Sequence, residues 1–191
     1  MSSLKHTRPE DWQGKISILI VPPELYVHIS NEIPVELVKE WGMEGIVVSA
    51  NKPYMVARET FQRNGIMDSL TYLDCASRFA GVNPQAENLI VLENPANLTE
   101  LDIALTKCIR QCSKIDFLLF DSLTTMLIYN KKELFTRFAH RLAIRLKSSK
   151  ITTFFLMVEQ KSMMEVLSFL STIADKISHL QIDEEGEVYS D

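Results

Sequence analysis

The chain has 191 residues, enough for one sizeable core and short for two independent ones. Nearly half of it is apolar and about a quarter charged, and the formal net charge of −5 excludes a general attraction to nucleic acid or acidic membranes. The chain has only six glycines, which argues against loops wrapped closely around phosphates.

No apolar run approaches the roughly 18 residues of a membrane span. The polar start MSSLKHTRPEDWQGK lacks the apolar stretch of a signal peptide, so the expected compartment is the cytoplasm and no membrane partner is expected. Three cysteines, an odd number, fit a reducing environment. Cys108 and Cys112 stand four apart on an expected helix, with neither a CxxC nor paired histidines nearby. They are read as buried free thiols rather than metal ligands.

In chain order, residues 1–14 read as a polar N-terminal arm. Ile16 to Val21 is a short strand rich in β-branched residues, stopped by Pro22 and Pro23. Val35 to Trp41 reads as a helix with Pro34 near its start, Gly45 to Val48 as a second strand, and Tyr54 to Asn64 as a helix ended by Gly65. Leu70 to Leu73 and Leu89 to Leu92 are further strands. Asn97 or Thr99 caps a helix to Cys112, whose apolar positions Leu101, Ala104, Leu105, Cys108 and Ile109 keep a helical period.

Phe117 to Phe120 is apolar throughout, as a strand buried on both faces should be. A long helix from Lys132 to Lys147 follows, then a strand at Thr152 to Val158, a helix at Ser162 to Ile173 and a strand at Ile177 to Ile182. Residues 183–191 form an acidic tail that frays or adds one short hairpin strand. Strands alternating with helices across short connections define an α/β domain over residues 15–182: three αβα layers around a mostly parallel sheet.

Three stretches carry a family resemblance. Glu44-Gly45-Ile46-Val47-Val48-Ser49 with Asn51-Lys52-Pro53-Tyr54 and the helix ending at Asn64-Gly65-Ile66 is the first. Leu70-Thr71-Tyr72-Leu73-Asp74-Cys75-Ala76-Ser77 is the second. The third is Lys114-Ile115-Asp116-Phe117-Leu118-Leu119-Phe120-Asp121-Ser122-Leu123-Thr124, and downstream Ala174-Asp175-Lys176-Ile177 adds to it. In this order they resemble the RecA-like superfamily, in particular its KaiC-like and Rad-like ATPases, over roughly residues 15 to 182. The resemblance implies a P-loop NTPase-type core and puts Asp121-Ser122 at the Walker B position. Because such relatives assemble into rings or filaments, it also implies homo-oligomerisation.

The departure from that family is specific. A P-loop places G-x-x-x-x-G-K-S/T directly after the first strand, so that backbone N–H groups and a lysine meet the phosphates. Here that place reads Val21-Pro22-Pro23-Glu24-Leu25-Tyr26-Val27-His28, with no glycine, no lysine, two residues lacking N–H and an added carboxylate. Gly14-Lys15 precedes the strand and is followed by isoleucine, so it is no substitute. The expectation is therefore a degenerate member without ATP–magnesium chemistry, leaning away from an enzyme and with no catalytic residue assigned. Asp121 and Ser122 are read as vestigial, capping the next element or hydrogen-bonding within the crevice, since one carboxylate does not make a magnesium site.

Arg137, Arg141 and Arg145 recur every four residues opposite Phe135, Phe138, Ala139, Leu142 and Leu146, and so form a basic helical stripe. The stripe is read as a solvated face, with docking of an anionic partner as the alternative. His28, His140 and His179 have no companions from which a triad or metal site could be built, and no Gly-x-Ser-x-Gly elbow exists. Turn chemistry accounts for Glu93-Asn94-Pro95-Ala96-Asn97. The expected function is a regulatory or protein-interaction module with a protein partner or a second copy of itself. A nucleotide-binding protein with an atypical phosphate site and a nucleic-acid-binding accessory are the alternatives.

Overall fold

A computed structural model describes residues 9–112, 114–160, 164–182 and 188–190. In chain order it contains α1 (Pro9–Trp12), β1 (Ile16–Val21), α2 (Tyr26–Lys39), β2 (Gly45–Ser49), α3 (Tyr54–Arg63) and β3 (Leu70–Asp74). There follow β4 (Leu89–Val91), α4 (Leu98–Gln111), β5 (Phe117–Asp121), α5 (Leu123–Tyr129) and α6 (Lys132–Ser148). The last are β6 (Thr152–Val158), α7 (Met164–Leu170), β7 (Lys176–Ile182) and β8 (Val188–Ser190).

Among the described residues the strand order is β4-β3-β2-β5-β6-β1-β7-β8. Every neighbouring pair from β4 to β7 is parallel, and β8 adds an antiparallel strand at the edge.

The period-2 alternation of each strand divides its side chains between two cores. On one face, Ile18 and Ile20 of β1, Ile46 and Val48 of β2, Leu118 and Phe120 of β5, and Phe155 and Met157 of β6 pack under α4, α5, α6 and α7. On the other, Leu19, Val47, Leu119, Phe154 and Leu156 pack under α1, α2 and α3. The result is the three-layer αβα domain with a mostly parallel sheet.

Several boundaries differ from the sequence reading. The helix expected at Val35 begins at Tyr26 and carries Pro34 inside it, because the buried stripe Tyr26, Ile29, Ile33 and Leu37 runs unbroken through the proline. The helix α5 was not anticipated; it is seven residues long and capped by Ser122. The polar arm differs as well: residues 1–8 lie outside the described residues, but α1 seats Trp12 in the second core, against Phe154 and Trp41. Of the acidic tail, residues 188–190 form β8, and residues 183–187 and 191 lie outside the described residues. Cys75 and Cys108 are buried, but Cys112 lies just past the end of α4 and is exposed, which corrects the expectation of two buried thiols on one face.

Two backbone positions stand out. Gly45 sits where a Cβ would lie 2.5 Å from the ring of Phe117, its partner across the β2–β5 pair, so that strand position has room for no side chain. At the end of α6, Lys150 N–H bonds Lys147 C=O (3.1 Å) and Ile151 N–H bonds Leu146 C=O (3.0 Å). This is a Schellman closure with Lys150 at φ 55°, the left-handed position that glycine ordinarily fills. A side chain there costs about 1–2 kcal/mol relative to an unstrained backbone.

Asp175, just before β7, ties the sheet to the helical layer. Its carboxylate accepts Ile16 N–H at 3.0 Å and Lys147 Nζ at 2.5 Å. Partial burial alone would raise its pKa, but Lys147 and the Ile16 N–H outweigh burial and hold it below the usual carboxylate value. A depressed folded-state pKa contributes stability at neutral pH that is lost as pH falls through the folded value, below the unfolded pKa of about 3.9. Asp175→Asn should therefore flatten the acid limb of a stability–pH curve from urea titrations without steepening its alkaline side. Gly45→Ala should lower the urea midpoint, by about 1–3 kcal/mol of overpacking at unchanged m-value.

Candidate functional site

In an open parallel sheet, ligands sit at the carboxyl ends of strands whose following helices leave on opposite faces. Here α3 follows β2 onto one face, and α5 and α6 follow β5 onto the other. The ends of β2 and β5 therefore bracket the crevice, with Ser49 in register with Asp121.

Asp121 is 1% exposed. Its carboxylate accepts the hydroxyl of Tyr26, from the first turn of α2, and lies 3.3 Å from the ammonium of Lys52, from the loop after β2. Lys52 Nζ also donates to Ser30 Oγ (2.6 Å) and Asn31 Oδ1 (2.9 Å) on α2. The Lys52 loop is itself fixed. Ser49 Oγ donates to Lys52 C=O and accepts Lys52 N–H, Tyr72 OH donates to the same carbonyl, and Ala50 N–H bonds Asp121 C=O at 2.7 Å.

The electrostatics follow from burial. Desolvation raises the pKa of Asp121, opposed by the charge of Lys52 and the hydrogen bond from Tyr26. The Tyr26 hydroxyl is pushed far above its ordinary value by burial first and by the Asp121 charge second, so it stays a donor. Tyr26, Asp121 and Lys52 thus form a closed unit, each polar group answered by another from this chain.

The next residues have structural roles. Ser122 Oγ accepts Thr125 N–H and caps α5, and Thr124 Oγ1 accepts Val158 N–H, binding the end of β6 to α5. Asp74, at the end of β3 and wholly buried, accepts N–H groups from Tyr54, Ala76 and Ser77 and the hydroxyl of Ser77. Asn94 Oδ1 accepts Ala96 N–H, and Asn97 Oδ1 accepts Glu100 N–H, so turn and cap bonds occupy the Glu93–Asn97 loop.

The basic stripe is divided by the packing of α4 against α6. Arg145 donates to Asp102 Oδ1 (2.7 Å) and Thr106 Oγ1 (2.5 Å), leaving only its Nε buried without a partner. Arg137 and Arg141 are exposed and carry no ion pair among the described residues. His140 packs on Phe169, apart from His28 and His179, and no cluster of His, Cys, Asp and Glu suited to a metal occurs among the described residues.

Sequence reasoning missed Tyr26, Ser30, Asn31 and Lys52 as members of one site. The available signal was a lysine just past one apolar strand and an aspartate closing another, since strand ends of a parallel sheet meet at one edge.

The segment after β1 supplies Pro22 and Pro23, which have no N–H, and an exposed Glu24, while Leu25 and Tyr26 turn inward. At the end of β5, the Asp121 carboxylate is bonded by a hydroxyl and an ammonium of this chain.

No protein-family model and no curated protein matches the sequence. The fold resembles the KaiC-like protein PH0186 of the hyperthermophilic archaeon Pyrococcus horikoshii OT3 with a TM-score of 0.62. The two are 13% identical, and the match covers 98% of this chain and 83% of that one. The domain therefore has a KaiC-like, RecA-type fold. With 293 chains of known structure matching, the architecture is widespread and selects no activity. No helix among the described residues is long and apolar enough to cross a membrane.

Removing one member of the buried ion pair strands the other. Lys52→Met should cost about 3–5 kcal/mol in urea denaturation, and adding Asp121→Asn should recover part of that loss, giving a positive coupling in the double-mutant cycle.

Proposed function

We propose that this chain is a non-catalytic regulatory or protein-interaction module built on a RecA/KaiC-like core that has lost its phosphate-binding loop. The observation that carries the reading is the internal closure of the crevice: Asp121 is bonded by Tyr26 OH and Lys52 Nζ where a nucleotide's metal would need its carboxylate. Phosphoryl transfer depends on electrostatic stabilisation by a P-loop's amides and lysine, and this chain offers prolines there. A scaffold so closed acts through its surface, on a protein partner or a second copy. Arg137 and Arg141 supply a cationic patch suited to an acidic protein face. No resident cofactor is part of this reading.

The test is a melting curve with and without millimolar ATP or ADP and magnesium, for the parent chain and for Asp121→Ala, each against its own baseline. A nucleotide at a hundred times its dissociation constant stabilises by about 2.7 kcal/mol, or roughly 5–10 °C in a chain of this size. We expect no shift in either protein. A shift in the parent that Asp121→Ala abolishes would instead establish a nucleotide-binding protein with an unusual phosphate site.

A further inference from the structure

At the opposite edge of the sheet, where β2, β5 and β6 begin, lies a cavity of about 260 Å³. Its walls include Trp12, Trp41, Gly42, Lys114, Asp116 and Lys150. The two indoles meet edge to face, with centroids 5.7 Å apart and planes at 76°; Trp12 is buried and Trp41 is 39% exposed. Lys114 is neutralised within the wall, 2.9 Å from the Asp116 carboxylate and donating to Gly42 C=O. Asp116 also accepts Glu44 N–H. Lys150 is exposed and has no ion pair among the described residues, so the cavity keeps one uncompensated ammonium beside an aromatic surface.

The backbone supplies a second, independent observation. Lys150 is the non-glycine residue at positive φ among the described residues, in a Schellman position where glycine would relieve the strain. A side chain held at such a position, lining a cavity, is the pattern in which local strain supports binding.

We propose that this cavity binds a small single-ring aromatic anion, its ring on the Trp41 face and its carboxylate or phosphonate on Lys150. The volume lies just below the roughly 300–1,000 Å³ typical of pockets for drug-sized ligands, which limits the occupant to about one ring and its acid group. The one unpaired ammonium among the described lining residues selects an anion over a neutral ligand.

Trp12 and Trp41 are the only tryptophans in the chain, so intrinsic fluorescence reports this cavity directly. The full chain is titrated with benzoate, phenylphosphonate, benzamide and inorganic phosphate, alongside a Lys150→Gly variant. Benzoate or phenylphosphonate should give a saturable change, with benzamide and inorganic phosphate giving none. Loss of the charge-assisted contact in Lys150→Gly should weaken binding about tenfold or more. The same variant should melt no lower than the parent and up to about 8 °C higher, because the left-handed position now holds glycine.

Three outcomes would overturn the proposal: no saturable change with either acid, equal binding of benzamide or inorganic phosphate, or a Lys150→Gly variant that binds like the parent or melts below it. Because Lys150 and the tryptophans lie at the other edge from Asp121, none of these outcomes bears on whether the crevice binds nucleotide.

Discussion

A carboxylate at the centre of a sheet must be answered, and how Asp121 is answered shapes this molecule. Five parallel-strand residues place it in the dry middle of the domain, where an ionised group without partners would cost several kcal/mol. The compensating groups come from the fold itself: an ammonium from the loop after β2 and a hydroxyl from the helix after β1. The rest of the crevice follows from that pairing. The helix α2 must start at Tyr26 to deliver the hydroxyl, and Ser30 and Asn31 one turn later hold the lysine.

The same cluster stitches the layers together. Tyr26, Ser30 and Asn31 belong to α2, Lys52 to the β2–α3 connection and Asp121 to β5, so one group of bonds fixes a helix and two strand ends that are far apart in sequence. Asp74 does comparable work at the end of β3, gathering four donors from the α3 start and its own turn. The carboxyl edge of the sheet is thereby pinned by side chains. At the amino edge, the Trp12–Trp41 cavity joins buried Trp12, Met43 and Thr152 to exposed Trp41, Lys114 and Lys150.

Much of the fold was legible in the sequence because the strands are apolar on both faces and bounded by breakers. Thr152–Val158 was placed to the residue, and Ile16–Val21 equally so. What was not legible depended on overrides. Pro34 suggested a helix start, yet burial of Ile29, Ile33 and Leu37 carried the helix through it. Trp12 looked like part of a polar arm because its contacts, Trp41 and Phe154, lie far away along the chain. Asp121 at the end of its strand could be read from a local motif, whereas Lys52 and Tyr26 could not be joined to it without strand order. The spacing of Arg137, Arg141 and Arg145 was plain, but not that Asp102 on another helix would claim Arg145.

The strand order also bears on how the chain is made. Among the described residues β1 pairs with β6 and β7 alone, and both lie in the last third of the sequence. During synthesis from the N-terminus, the apolar segment Ile16–Val21 therefore emerges with no sheet neighbour until residues 152–158 have followed it. β2, β3 and β4 can pair among themselves from the outset, but they join β1 only through β5 and β6. Unpaired apolar strand edges invite aggregation. The nascent polypeptide thus carries β1 without a sheet partner until residues 152–158 have been made, and the sheet can close around it only then.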